Sequence, residues 1–117
     1  MAKGLRVREV WRGQTAIVAV TGEVDMLTAP SMEAAVMDCL AKTPAALIID
    51  LLRTEFLSSA GIGVLIGAQK EADEAGIGFS VVADSPGTSR PLTLMNMDEI
   101  LNLQPTVDDA RESLLPK

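Results

Sequence analysis

Hydrophobic and polar residues alternate along the first part of the chain in a pattern that predicts two strands. Residues 5–11 alternate with a period of two, which is typical of a half-exposed strand. Residues 16–20 are almost uniformly apolar and follow a short polar turn, so we expect the two strands to form a hairpin. Gly22 is predicted to end the second strand.

The next segment changes to helical spacing and then to a continuous apolar run. A helix is predicted to begin near Thr28, which can cap it, with Pro30 in its first turn and Pro44 preventing its continuation. One face of this helix carries the apolar residues Met32, Ala35, Val36, Cys39 and Leu40. Cys39 is therefore interpreted as a core residue. The run over residues 46–51, interrupted only by Asp50, predicts a central parallel strand.

The second half of the chain predicts two further strands and three further helices. The helices are expected over residues 59–75, 91–96 and about 106–115, and the strands over 78–82 and 100–103. Gly63 and Gly67 lie on one face of the first of these helices, so we expect them to allow a neighbour to approach closely. The element order ββαβαβαβα predicts an α/β fold in which helices pack against a mostly parallel mixed sheet.

Composition narrows the possible functions. The chain has 117 residues, 48% of them apolar and only 3% aromatic, so it predicts one domain with an aliphatic core over about residues 5–115. Histidine is absent and Cys39 is the single cysteine, which excludes a Ser-His-Asp triad, a C-x-x-C pair and a thiolate zinc site. We therefore expect a protein that is not an enzyme and binds no cofactor or metal.

The charge distribution bears on the partners. The net charge is −6, although residues 1–12 carry four cations against Glu9 alone. Most of the surface would repel nucleic acid, so we expect no direct nucleic-acid partner, and the basic start is interpreted as an edge strand that resists self-pairing. Residues 1–10 lack the apolar core of a signal peptide and no apolar run approaches ~20 residues, which favours a cytoplasmic protein without membrane insertion.

The segment over residues 50–67 is the most informative for chemistry. A buried strand is followed by a short polar loop and then by a helix that opens on Ser58 and Ser59. One interpretation is that either serine is simply an N-cap. The alternative is that one of them accepts a phosphoryl group, which the N-terminus of a helix would stabilise. The glycines that follow match neither a dinucleotide fingerprint nor a phosphate loop.

Two polar turns are further candidates. Residues 22–25 include Glu23 and Asp25, and an Asx-type turn or a recognition loop is favoured there over acid–base or metal chemistry. Residues 85–87 form a Ser-Pro-Gly turn before the third helix. Arg90 follows, where it either contacts a phosphate or an acid, or is solvated.

Three islands of sequence make the chain resemble the STAS domain family, and within it the stand-alone bacterial anti-sigma factor antagonists. Residues 22–25 resemble the family's Gly-Glu-hydrophobic-Asp motif, and residues 56–65 its Phe-hydrophobic-Asp-Ser-Ser/Thr-Gly-Leu-Gly signature. Ser85 and Pro86, with Arg90 and Leu92, resemble its Ser-Pro turn. The resemblance implies a single STAS domain over residues 1–117.

The resemblance also implies a function. Such proteins bind an anti-sigma factor that is a serine kinase of the GHKL ATPase type, and so release a sigma factor. The kinase phosphorylates the first serine of the signature, here Ser59, and a PP2C-like phosphatase restores the active form. The ATP belongs to the kinase. The implied partner-binding residues are Glu23, Asp25, Ser58, Ser59, Gly61, Ser85 and Arg90.

The chain departs from the family signature on both sides of the implied acceptor. Ser58 replaces the aspartate that usually precedes it, and Ala60 replaces the serine or threonine that usually follows. Ser58 is therefore an alternative acceptor. The departures also leave open a STAS interaction module that is not phosphorylated, such as a subunit of a lipid-transport ATPase or a stressosome-like scaffold.

Overall fold

A five-stranded mixed sheet forms the centre of the computed structural model, which describes residues 4–115. The elements follow the predicted ββαβαβαβα order. The strands are β1 (Arg6–Arg12), β2 (Thr15–Val24), β3 (Ala46–Leu57), β4 (Gly78–Val82) and β5 (Leu103–Gln104). The helices are α1 (Ala29–Ala41), α2 (Ser59–Glu74), α3 (Ser89–Leu94) and α4 (Val107–Ser113). The predicted α/β fold with a mostly parallel mixed sheet is thus confirmed.

The predicted hairpin is present at one edge of the sheet. β1 pairs antiparallel with β2, and Gly13 adopts a positive φ of 61° in the turn between them, a conformation that glycine reaches without steric cost. The remaining strands are parallel and lie in chain order from β2 to β5. Parallel strands end at the same edge, so the loops that follow β2, β3 and β4 lie near one another.

The second and third strands are longer than the sequence predicts. Gly22 does not end β2: it lies within the strand with φ 116°, beside a register shift, and pairing continues to Val24 opposite Leu57. The polar loop expected after Leu51 is likewise a continuation of β3. The pairing of β2 with β3 contains two register shifts, which allow the strands to remain paired along this extension. The buried hydroxyl of Thr54 donates to the carbonyl oxygen of Val20 at 2.8 Å, between the two strands.

The core lies mainly between the sheet and the pair of helices α1 and α2. It is aliphatic as predicted, and Cys39 is fully buried within it. A smaller apolar cluster lies on the opposite face of the sheet, where α4 packs on β3, β4 and β5. The members of that cluster are Ile17, Ile48, Val82 and Ala110.

In the last third of the chain, the bounds predicted for the last strand and for the third helix are wrong. The strand expected over residues 100–103 is instead a turn followed by the two-residue β5, and Ile100 is exposed. Asn102 takes a positive φ of 49° there, and its amide nitrogen donates to the carbonyl oxygen of Phe79. α3 begins two residues earlier than predicted, while Thr106 caps α4 as expected by accepting from the Asp109 N–H at 3.0 Å.

Candidate functional site

Ser58 is the N-cap of α2 and is held on both sides. Its backbone N–H donates to the carbonyl oxygen of Val24 at 2.8 Å, which fixes the helix start against the end of β2. Its hydroxyl oxygen accepts from the N–H of Gly61 at 3.4 Å, a long capping bond. The N-cap interpretation therefore holds for Ser58, which is half-buried with its hydroxyl turned toward the helix.

Ser59 is the first residue of α2, and it differs from Ser58 in its burial and in its hydrogen bonding. Its side chain is exposed, and within residues 4–115 its hydroxyl has no hydrogen-bond partner. The N-terminus of a sixteen-residue helix lies directly behind it, where open backbone N–H groups favour negative charge. Of the two serines, Ser59 presents the available hydroxyl.

Gly61 is buried beneath these serines and has no room for a side chain. A Cβ atom there would lie 2.6 Å from Cδ1 of Leu57 and 2.7 Å from Cγ1 of Val24. The close approach predicted for Gly63 and Gly67 is wrong, because a Cβ atom at either position would meet nothing within 4 Å. The start of α2 therefore packs on the ends of β2 and β3 through Gly61, which shapes the site from below.

Asp25 organises the loop that follows β2. One of its carboxylate oxygens accepts from the N–H groups of Leu27 at 2.9 Å and Thr28 at 3.0 Å, so the Asx-type turn is confirmed. These bonds, the one from Thr28 first, hold the pKa of Asp25 below its usual range. Thr28 lies at the N-cap of α1, but its hydroxyl donates to the carbonyl oxygen of Glu23 at 2.7 Å and makes no bond into the helix.

The Ser-Pro-Gly turn meets the end of β3 from the other side. The N–H of Leu57 donates to the carbonyl oxygen of Gly87 at 3.2 Å, and a Cβ atom on Gly87 would collide with the carbonyl oxygen of Glu55. The hydroxyls of Ser85 and Thr88 are hydrogen-bonded to each other at 2.9 Å, which closes the turn. The three islands singled out in the sequence therefore converge at one edge of the sheet.

Arg90 and Glu23 complete the set of predicted partner-binding residues. Arg90 is exposed near the start of α3, and within residues 4–115 it forms no ion pair. Glu23 is half-buried and lies opposite Phe56 in the sheet. The structure places both on elements that border the turn around Ser58, at the edge where β2 and β3 end.

Three exposed apolar side chains at this edge were not predicted as site residues. Met26 is 78% exposed and Leu27 is 87% exposed in the loop held by Asp25, and Phe56 is 48% exposed near the end of β3. Exposed apolar side chains next to polar ones are typical of a protein interaction surface. The sequence could have indicated them by position, because Met26 and Leu27 directly follow Asp25 and Phe56 lies two residues before Ser58.

Within residues 4–115 no group of three acidic or cysteine side chains is arranged to hold a metal ion. None of the helices described there combines the length and the apolar character that crossing a bilayer requires.

Comparison with known proteins places this geometry in a family. The STAS domain model matches residues 9–110. Anti-sigma-F factor antagonist RsfB of Mycobacterium tuberculosis is 37% identical over 95 residues, which cover 81% of this chain and 77% of RsfB. The crystal structure of an anti-sigma factor antagonist from Mycobacterium paratuberculosis superposes with a TM-score of 0.90 at 37% identity, covering 95% of this chain and 94% of that one.

A more distant relative shares the fold. SpoIIAA of Bacillus is known in unphosphorylated and phosphorylated forms, which superpose with TM-scores of 0.77 and 0.69 at 15% and 17% identity. Each alignment covers 96% of this chain and 100% of SpoIIAA. The relatives at 37% identity are anti-sigma factor antagonists, which are regulatory binding proteins, and this confirms the prediction that the chain is not an enzyme. The chain belongs to the STAS domain family, and the relatives that it matches at 37% identity are anti-sigma factor antagonists.

Proposed function

We propose that this protein is a cytoplasmic anti-sigma factor antagonist that is switched off by phosphorylation of Ser59. In its unphosphorylated form it binds an anti-sigma factor serine kinase of the GHKL type and so releases a sigma factor. The observation that carries the proposal is the exposed, unbonded hydroxyl of Ser59 at the start of α2. A PP2C-like phosphatase reverses the modification.

The choice of Ser59 over Ser58 follows from their environments. Phosphorylation of Ser58 would remove the cap that its hydroxyl provides to the Gly61 N–H, whereas Ser59 makes no bond that must be broken. In the transfer, a bond forms between Oγ of Ser59 and the γ-phosphorus of ATP held by the kinase. ADP leaves, and the hydroxyl proton passes to a base of the kinase.

The surroundings of Ser59 suit a protein interface that the negative charge of a phosphoryl group would weaken. The exposed apolar side chains Met26, Leu27 and Phe56 provide area that a partner can bury. A phosphoryl group adds about −1.5 to −2 charge beside them, and desolvating that charge in an interface is costly unless the partner supplies a cation. The helix N-terminus stabilises the phosphate on the free protein, and SpoIIAA, which shares this fold, is known in both forms.

The remaining predicted contacts fit the same surface. Glu23 and Asp25 border it from the end of β2, and Ser85 and Arg90 from the turn and helix that follow β4. Gly61 acts from beneath by setting how closely α2 approaches the strands. The proposed interface is thus an apolar patch around Ser59 with a polar rim.

The test incubates the chain with the anti-sigma factor kinase of its source organism and ATP, and maps the modified residue by mass spectrometry. We expect one phosphoryl group on Ser59, none on the Ser59→Ala variant and normal modification of Ser58→Ala. Binding of the kinase should weaken at least roughly tenfold after phosphorylation. Modification confined to another residue, or unchanged binding by the phosphorylated form, would contradict the proposal.

The second candidate is a STAS interaction module without a phosphorylation cycle, and the sequence around the acceptor favours it. Ser58 stands in place of the usual aspartate and is occupied as a cap, and Ala60 follows Ser59. In this case the partner is a membrane transporter or a scaffold of other STAS proteins. Recovery of a transporter in a pull-down, with no incorporation of phosphate from ATP, would favour this candidate.

A further inference from the structure

The face of the sheet opposite α1 and α2 carries a groove bordered by four arginines, here called the arginine groove. Two cavities of about 310 and 180 Å³ form it, and they share Ala19 and Asp50 as lining residues. Arg8, Ala19 and Asp50 lie side by side on three adjacent strands. The bordering arginines are Arg8, Arg12, Arg53 and Arg111.

The charge of this groove opposes that of the whole chain. Four arginines line it against the two carboxylates of Asp50 and Asp108, although the chain carries a net charge of −6. Within residues 4–115 the only ion pair joins Lys42 to Glu9, so none of the four arginines is paired there. Asp50 instead accepts from the backbone N–H of Leu52 at 3.0 Å. Unpaired cations gathered on a negative protein favour an anionic partner.

The floor of the groove follows the strands, and it is apolar around Ile17 but carries the half-buried Asp50 where the two cavities meet. Ile17 is buried and Val10 and Val107 are half-buried along it. The two cavities extend along β2 from Ile17 to Thr21, which is a length of roughly 13 Å at the rise of a strand. An occupant that matches both the arginines and the floor is extended and carries acidic and apolar side chains.

We propose that the arginine groove binds an extended acidic segment of a partner protein, with apolar side chains of that segment resting on the floor. A second copy of this chain is a poor occupant in a symmetric contact, because it would bring arginines against arginines. An acidic segment avoids this arginine–arginine repulsion and gains from charge complementarity, because the four arginines outnumber the carboxylates of Asp50 and Asp108.

The proposal does not depend on the proposed function of Ser59. Asp50 lies eight residues before Ser58 on β3, which corresponds to roughly 25 Å along the strand. The groove also lies on the face of the sheet away from α2. A partner in the groove therefore leaves Ser59 accessible, and the two surfaces can be tested separately.

The test titrates the intact protein with a short fluorescein-labelled peptide in which glutamate alternates with leucine. Fluorescence anisotropy gives the affinity, and amide chemical shifts of the labelled protein give the site. We expect shifts at Arg8, Ala19, Asp50 and Arg53, and an affinity that falls as salt is added. Arg8→Glu and Arg53→Glu should each weaken binding roughly fivefold or more.

Matched controls separate this site from general charge effects. Lys70→Glu makes the same change of net charge on the exposed surface of α2 and should leave the peptide affinity within about twofold. A peptide with glutamine in place of glutamate, or serine in place of leucine, should bind more weakly. Ser59→Asp should bind the acidic peptide as wild type does, whatever its effect on the kinase.

Several results would overturn the proposal. They are shifts that map to the turn around Ser58, equal weakening by Lys70→Glu, and no binding of the peptide by folded wild-type protein. Shifts in the groove produced by inorganic phosphate but not by the peptide would assign it to a small anion. Concentration-dependent shifts there without any ligand would assign it to a second copy of the chain.

Discussion

The backbone N–H of Ser58 donates to the carbonyl oxygen of Val24 at 2.8 Å, so the N-cap of α2 is tied to the last residue of β2. This bond gives the two neighbouring serines different roles. Ser58 is held inward by its backbone and by the bond that its hydroxyl accepts from Gly61, and Ser59 is left outward at the helix start. Under the proposed function, the structural task and the regulatory task therefore fall on adjacent residues.

Replacing each serine separately should reveal this division. Ser58→Ala removes the cap and should lower the free energy of unfolding by about 0.5–1 kcal/mol, at the lower end for a cap because the bond is long. Ser59→Ala should change it by less than about 0.5 kcal/mol. Urea unfolding of both variants checks this, and a larger loss for Ser59→Ala would contradict the assignment.

Gly61 and Gly63 offer a matched pair within one helix. Gly61→Ala forces a methyl group against Leu57 and Val24 and should cost about 1–3 kcal/mol. Gly63→Ala has open space and should be neutral or stabilise by up to about 1 kcal/mol through helix propensity. Thermal or urea unfolding measures both, and equal effects would show that the close approach at Gly61 is relieved by movement of α2.

The apolar patch around Ser59 should contribute to partner binding. Leu27→Ser removes the most exposed side chain of the patch and should weaken binding of the anti-sigma factor by roughly five- to tenfold. Ile100→Ser is the control. Ile100 is 51% exposed, but it lies before β5, at the end of the sheet where the parallel strands begin and not where they end. Calorimetric titration distinguishes the two variants, and a similar loss for both would argue against a localised interface.

The lowered pKa of Glu9 should make the stability of the protein depend on pH. The Cys39 thiol, followed by Lys42 and Trp11, lowers the pKa of Glu9 from 4.5 to about 2 in the folded protein. Because the folded pKa is depressed, the stabilisation is present above pH 4.5 and is lost as the pH falls toward 2. Glu9→Gln should flatten the stability profile in that window, as measured by urea unfolding across it.

A control carboxylate makes the Glu9 prediction specific. Glu33 is exposed on α1 and, within residues 4–115, accepts no hydrogen bond from a side chain. Glu33→Gln should therefore alter the profile less than Glu9→Gln does. The prediction fails if the acid-side slope of the Glu9→Gln variant equals that of wild type.

Cys39 should be nearly inert in the folded protein. Its side chain is fully buried, and burial, with Glu9 as a second influence, raises the pKa of its thiol to about 12. A thiol reagent such as DTNB should react slowly in native buffer near neutral pH and rapidly in urea. Fast labelling without denaturant would show that α1 opens locally and would reverse the interpretation of Cys39 as core.

Local pattern predicted most of the elements because their periodicities match their burial. The strand over residues 78–82 has its predicted bounds, and the stripe of α1 faces the core through Met32, Val36 and Cys39. The strand bounds that the local pattern did not predict depend on pairing with neighbouring strands. Pairing between Val24 and Leu57 extends two strands beyond their apolar runs, and pairing with β4 alone defines the two residues of β5.

The candidate site shows the same contrast. The capping chemistry of Ser58 was readable from the sequence, because a serine before a helical run is a local signal. Which glycine permits the close packing was not, since Gly61, Gly63 and Gly67 look alike until Val24 is placed beside one of them. The exposed patch was missed because exposure of Met26 and Leu27 follows from the turn that Asp25 holds.

The strands lie in the sheet in the same order as in the chain, and as a result the two faces of the sheet are covered differently. Successive right-handed crossovers in one direction place their helices on a single face, as seen for α1 and α2. Within residues 4–115 the helix on the other face is α4, whose seven residues span about 10 Å and pack on β3, β4 and β5. The order of the strands therefore gives the protein a second surface, which the thickness of the sheet separates from Ser59.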